Sequence, residues 1–306
     1  MTTEITQLAP GLLRLRAANP SPMTFSGTNS YLLRGLPISD VHDPQTSTGV
    51  ALIDPGPEDH QHAEAILRAL LPNERISHIF VTHAHLDHSP LARPLAQETG
   101  AKVYGFGPAS AGRSAVMARL AATANPGGGE GVDHAFRPDI TLRDGETVHG
   151  DGWSLTALHT PGHFCNHMSF VWGDAIFSGD HIMGWSSTLI SPPDGDLADY
   201  YSSLEKTAAR GPRILYPGHG EPVPQPLALI AQQRTHREAR TAQILDALKQ
   251  GPMSAESIAR QIYTEIPAKL LPAATRNTLA HLIDLTIKNK ISHAEPLQIL
   301  SEFRLS

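Results

Sequence analysis

Residues 80–90 read FVTHAHLDHSP, with His83, His85, Asp87 and His88 packed into six positions directly behind the apolar run ISHIFV. Such a run reads as a buried strand. A strand that ends in four groups able to bind a metal displays them at the rim of a rigid layer, where loops carry functional side chains. His83 and His85, two apart in extended chain, point to the same side. Asp87 and His88 follow a bend and can face a second ion about 3.5–4 Å from the first. Imidazole and carboxylate together suit zinc, with manganese or iron as further fits. The plain alternative is a polar loop, which is disfavoured because burying several histidines and aspartates without partners is costly.

The same arrangement, a polar residue just past an apolar run, recurs at His163 in TPGH, Asp180 in SGD, His219 in PGHG and, more weakly, Asp54 in LIDPG. NSYLLRG, GVALIDPG and AKVYGFG read as further strands that end in polar or glycine-bearing loops. HQHAEAILRALL (residues 60–71) reads as a helix with Ala65, Leu67, Leu70 and Leu71 on or near one face. SPLARPLAQETG reads as another, closed by Gly100. ATANPGGGEGVDHAFRP is expected to be a long flexible loop, and Asp144-Gly145 to turn a hairpin. MSFVW and AIFSG pair around Gly173-Asp174, and the helix DLADYYSSLEKTAARG precedes a last strand, RILYP. Two runs of strands with interspersed helices predict an α/β fold of two sheets packed face to face, helices outside.

From about Thr235 the pattern turns helical. HREARTAQILDALKQG, AESIARQIYTEI behind the cap Ser254, and TRNTLAHLIDLTIKNK with Leu279, Leu282, Ile283 and Ile287 on one side are followed by a short ribbon. That is the outline of a winged helix, and the expected division is residues 1–230 and 231–306. Charge supports a division: residues 1–230 carry 14 Lys and Arg against 23 Asp and Glu, whereas residues 231–306 carry 10 against 7. A basic module on an acidic body hints at a separate surface, but an excess this small is little for tracking phosphates. Cys165 is the only cysteine, so no intramolecular disulfide forms and a reducing compartment is expected. It reads as a small buried residue. No run of about 18 apolar residues occurs, so a soluble, cytoplasmic protein with no membrane partner is expected.

THAHLDH, followed by TPGH, SGD and PGHG in that order, resembles the metallo-β-lactamase superfamily over roughly residues 7–225. The resemblance implies an αββα sandwich with a site at one edge of the two sheets. It further implies that His83, His85 and His163 hold one metal, that Asp87, His88 and His219 hold the other, and that Asp180 bridges them. Asp54 would orient a ligand histidine. Water between two divalent ions ionises near neutral pH, and Asp87 is the implied catalytic carboxylate that orients it or takes its proton. Asp180 is absent from true β-lactamases that keep HxHxDH, which argues against antibiotic hydrolysis.

HREAR, HLIDLTIKNK and the segment GDHIMGWSSTLISPPDGDLADYYSSLEK are similar to the beta-lactamase-like protein 2 group, which carries a C-terminal winged helix. The function implied is a dinuclear-metal hydrolase acting on a single-stranded RNA phosphodiester or on an acyl thioester or ester. Two readings stand beside it: a mononuclear iron dioxygenase of the persulfide type, and a winged-helix nucleic-acid-binding protein with a non-catalytic metal domain. The tail is expected to be a structural or dimer-contact module, so a homodimer is among the expected partnerships. His167, Trp185 and Ser186 are candidates to line the substrate site, with His181 in a packing role. The remaining histidines, His42 and His62 among them, read as ordinary.

Overall fold

The computed structural model describes residues 2–35, 47–123, 127–294, 296–298 and 300–306. His42 and residues 124–126 of the glycine-rich segment lie outside them. A seven-stranded sheet follows chain order through β1 (Glu4–Ala9), β2 (Leu12–Arg16), β3 (Asn29–Leu33), β4 (Thr48–Ile53), β5 (Glu74–Phe80), β6 (Lys102–Gly105) and β7 (Ile140–Thr141). The strands are antiparallel up to the β3–β4 pair and parallel beyond it. A five-stranded sheet has the order β12-β11-β10-β9-β8, where β8 is Thr147–His149, β9 Ser154–His159, β10 Met168–Trp172, β11 Ala175–Gly179 and β12 Ile214–Pro217.

Side-chain alternation along each strand builds two cores at once. Tyr31 and Leu33 of β3, Ala51 and Ile53 of β4, and Phe80 of β5 point toward Phe170 and Phe177 of the second sheet. Leu32, Val50, Leu52 and Ile79 point the other way, toward α1 (His60–Arg68) and α2 (Ala92–Thr99). Gly100 ends α2 in the left-handed region, φ 75°, as expected of a C-terminal glycine. The face that α1 buries is centred on His62 and Ile66, and the helix ends at Arg68, so Leu71 is exposed and not part of that face. On the far side, α4 (Leu197–Ala209) caps itself with Asp196 and packs Leu197, Tyr200 and Leu204 against Ile176 and Leu215 of the second sheet.

Two connections differ from expectation. Asp144-Gly145 carries the chain from the first sheet into the second, because β7 pairs with β6 and β8 with β9. The hairpin itself turns at residues 150–153, where the Gly150 N–H meets the Trp153 carbonyl at 3.0 Å. The described part of the glycine-rich segment, from residue 127 on, is held in place: Gly131 accepts from the Leu86 N–H at 2.8 Å, and the Asp133 N–H donates to the Ala84 carbonyl at 2.9 Å. Its glycines supply the positive φ of a tight path, while Val132 and Phe136 are buried. The preceding α3 (Ala115–Thr123) has no clear apolar stripe, and only its Met117 is buried.

The tail is a winged helix: α5 (Pro226–Leu248), α6 (Ala255–Ile262), α7 (Leu271–Ile287) and a three-stranded ribbon of β13 (Met253–Ser254), β14 (Ile291–His293) and β15 (Glu302–Leu305). Ser254 caps α6 by accepting from the Ser257 N–H. Ile244, Ile258, Leu279, Leu282 and Phe303 form its core, into which Met117 of α3 also packs. Ile287 is 48% exposed and lies outside that core. α5 runs unbroken across residues 230 and 231, with Ile230 in the core of the sandwich and Ile244 in that of the winged helix.

Candidate metal centre

Asp54 follows β4, the His83–His88 cluster follows β5, His163 follows β9, Asp180 follows β11 and His219 follows β12. The C-terminal ends of these strands share one edge of the sandwich, so residues 165 positions apart in sequence meet there (Asp54 and His219). Three groups converge, the ligand atoms of each within 4.8 Å of one another: His83, His85 and His163; His83, His88 and Asp180; and Asp87, His88 and His219.

Nitrogen atoms at the first group face one another, with His85 Nδ1 2.8 Å from His83 Nε2 and 3.2 Å from His163 Nε2. Burial, followed by the neighbouring imidazoles, holds His83 well below the usual histidine range and pushes His85 down to about 3. Burial lowers His163 as well. Three neutral imidazoles presenting lone pairs to one point form a cation site. In the second half, His219 Nε2 lies 3.2 Å from Asp87 Oδ2 and 3.3 Å from Asp180 Oδ2. His88 Nε2 is 3.3 Å from Asp87 Oδ2 and 3.5 Å from Asp180 Oδ1. Burial opposes ionisation of Asp87 and Asp180, yet His88 and His219 hold both carboxyls well below their usual range. Burial likewise opposes charge on His219, but Asp180 and Asp87 push it up to about 9. His88 Nε2 and Asp180 Oδ1 are buried without a hydrogen-bond partner, which is costly unless a cation completes the site. The donor set fits divalent metal.

The other ring nitrogen of four histidines is anchored to the protein, and this aims the ligand nitrogen inward. His88 Nδ1 meets Asp54 Oδ2 at 2.9 Å. His163 Nδ1 donates to the Leu189 carbonyl at 2.7 Å, and His219 Nδ1 to the Gly27 carbonyl at 3.2 Å. His83 Nδ1 lies 3.0 Å from the Thr82 hydroxyl, which itself donates to Asp54 Oδ2 at 2.8 Å. Asp54 thus orients His88 directly and His83 through Thr82. Thr28 donates to Asp87 Oδ2 at 3.1 Å. Gly27, Thr28, Thr82 and Leu189 carry no sequence signal of their own, since two of them act through backbone oxygen and the others are ordinary hydroxyls.

The centre opens into a cavity of about 1180 Å³ whose floor includes His85, Asp87, His163, Asp180 and His219. Met23, Leu86, Val132, Phe164 and Leu189 line it from the sandwich. Leu270, Leu271, Pro272 and Leu300 of the winged helix close the opposite side. Sequence reading missed this second wall. His167, a candidate for the substrate site, is fully buried: its ring lies against that of His83, tilted by 33° with centroids 5.2 Å apart, and Nδ1 meets the Thr160 hydroxyl. Trp185 and Ser186 are not among the lining residues. Trp185 stacks on Phe25 instead, 4.9 Å between centroids, and the Ser186 hydroxyl turns to the Ser187 carbonyl. His181 is buried against Tyr200. Cys165 is buried and its thiol is pushed up to about 12 by burial. No helix among the described residues is long and apolar enough to cross a membrane.

Residues 23–219 match the metallo-beta-lactamase superfamily model, and residues 254–296 match the beta-lactamase associated winged helix domain. A beta-lactamase-like protein 2 homolog from Drosophila melanogaster is 30% identical, across 94% of this chain and 91% of its own. An atrochrysone carboxyl ACP thioesterase from Aspergillus fumigatus is 29% identical, across 80% of this chain and 67% of its own. A beta-lactamase domain protein from Burkholderia ambifaria shares the fold, with TM-score 0.77 at 23% identity over 99% of this chain and 94% of that one. The superfamily match over residues 23–219, the winged-helix match over residues 254–296 and a relative 30% identical over 94% of the chain, together with the strand-edge cluster of histidine and aspartate, place the protein in the metallo-β-lactamase superfamily as a metal-dependent hydrolase with a C-terminal winged helix.

Proposed function

We propose that the protein hydrolyses an acyl thioester at a centre for two divalent cations. The observation that carries this reading is the cavity: a deep, largely apolar space whose floor is the histidine and aspartate cluster. His83, His85 and His163 would hold one cation, Asp87, His88 and His219 the other, with Asp180 between them. Zinc is the first candidate for this donor set, with manganese or iron as the other fits. Bound there, the cations supply an activated water and a Lewis acid for the scissile oxygen.

The chain's own residues do the rest. Asp87, kept ionised by His88 and His219 and steadied by the Thr28 hydroxyl, accepts the proton of the attacking water. Met23, Leu86, Val132 and Phe164 exclude bulk water and receive the acyl part. A thiol ionises near pH 8.5, so it leaves as its anion without a further proton donor. Single-stranded RNA fits the lining less well. A sequence-tolerant RNA groove needs excess cations and a row of aromatic platforms. Among the described lining residues, Arg260, Lys269 and Arg276 are outnumbered by the carboxylates Asp87, Glu130, Asp180, Asp194 and Glu256, and Phe164 is the one phenylalanine, tyrosine or tryptophan. The relative named as an atrochrysone carboxyl ACP thioesterase supports the same choice.

The test is hydrolysis of acyl N-acetylcysteamine thioesters by zinc-loaded protein, beside a fluorescent single-stranded RNA. Thioester cleavage is expected without oxygen uptake, abolished by chelation and reduced about 100-fold or more in Asp87→Asn. Cleavage of RNA with thioesters left intact overturns the substrate assignment.

A further inference from the structure

Arg237 of α5 is 1% exposed and forms no ion pair among the described residues. A buried guanidinium without a carboxylate is costly unless its donors are used. One terminal nitrogen donates to the Thr188 carbonyl and the other to Asn277 Oδ1 of α7 at 3.1 Å. The guanidinium also lies over the Tyr200 ring, 5.5 Å from its centroid. Asn277 Oδ1 takes a second donor, the Ile190 N–H at 2.9 Å.

Residues 188–190 are therefore gripped from the winged-helix side, and their other contacts reach the metal centre. The Leu189 carbonyl accepts from His163 Nδ1 at 2.7 Å, and the Thr188 hydroxyl donates to the Asp180 carbonyl. We propose that Arg237 and Asn277 are positioning residues of the metal centre, holding the 188–190 segment so that it aims His163 and seats Asp180. On this account the winged helix is part of the ligand scaffold, and the buried cation is retained for the geometry it imposes on a loop with no regular structure of its own. Asn277 Oδ1 joins the Ile190 backbone to the guanidinium, and next to it Arg276 of α7 donates to the Ser191 hydroxyl at 2.9 Å.

The inference rests on the ligand set proposed above, which titration of the wild-type protein tests by itself; the variants are then read against wild type. Full-length Arg237→Met and Asn277→Ala, stripped of metal and titrated with Zn²⁺ against a chromophoric chelator, are expected to bind one equivalent about 10- to 100-fold more weakly, as when a ligand's outer partner is removed. Their Co²⁺ forms are expected to show a changed visible spectrum. Arg237→Lys keeps the charge but not the fork and should recover part of the affinity. Ile244→Ala, a truncation in the winged-helix core, should lower the melting temperature with both affinities unchanged. If Arg237→Met does not fold, Asn277→Ala decides. Wild-type zinc affinity in folded Asn277→Ala, or an equal loss in Ile244→Ala, overturns the proposal.

Discussion

Asp54 is a non-glycine residue held at φ 49°, a region that side chains with a Cβ occupy at a cost of about 1–3 kcal/mol. The local network repays that strain. The Asp54 N–H donates to the Phe80 carbonyl at 2.8 Å, Oδ1 accepts from the Thr82 N–H at 2.7 Å, and Oδ2 faces both the Thr82 hydroxyl and His88 Nδ1. Asp54→Asn keeps size and shape but replaces one acceptor oxygen with a donor that faces another donor. Zinc affinity is expected to fall about 10- to 100-fold, measured by competition with a chelator; an unchanged affinity would show that Asp54 only stabilises its turn. The motif LIDPG marks this residue, but its two histidine contacts, one direct and one relayed, are visible only in three dimensions.

At the scale of the element, the turn after β12 depends on a residue without a side chain. A Cβ on Gly218 would lie 2.3 Å from Asp180 Oδ1 and 2.7 Å from His88 Cε1. Gly218 is not among the positive-φ glycines, so Gly218→Ala is a purely steric change that drives the carboxylate and imidazole apart. Displacement of about 1 Å in a catalytic array costs about 100-fold. Hydrolysis is expected to fall by that order while circular dichroism still reports a folded chain, and a variant with full activity would sink this account. Element boundaries are legible in the sequence where a cap or a stop residue exists, as at Ser254 and Gly100. They were read poorly where packing decides: α1 stops before Leu71, and α3 was unseen because its one buried side chain, Met117, docks into the winged helix.

Across the whole molecule, two buried histidines outside the metal centre couple stability to pH. Burial pushes His62 down to about 4 and His281 down to about 3. Each group takes up its proton near pH 6.5 when unfolded but resists doing so when folded. Stability is therefore full above pH 6.5 and is lost as pH falls toward the folded pKa. His62 sits between the Ser30 and Thr3 hydroxyls, 2.9 and 3.0 Å away, and should contribute a loss of about 1.5 kcal/mol between pH 6.5 and 5. The difference in urea unfolding free energy between wild type and His62→Gln isolates this term, because the metal ligands titrate alike in both. A difference that stays constant with pH would exclude it.

The ligand types and their order along the chain were legible in the sequence because each follows an apolar strand directly, and strand ends are set by local pattern. The two-sheet sandwich was legible for the same reason, since alternation and turn residues are short-range signals. Tertiary structure alone decided which nitrogen of each ring faces inward. His219 is aimed by a carbonyl 192 residues away and His163 by one 26 residues away, and a backbone oxygen leaves no mark in a sequence. It also decided that the winged helix walls the cavity and grips the loop over Asp180, because both depend on how two separate cores pack along α5.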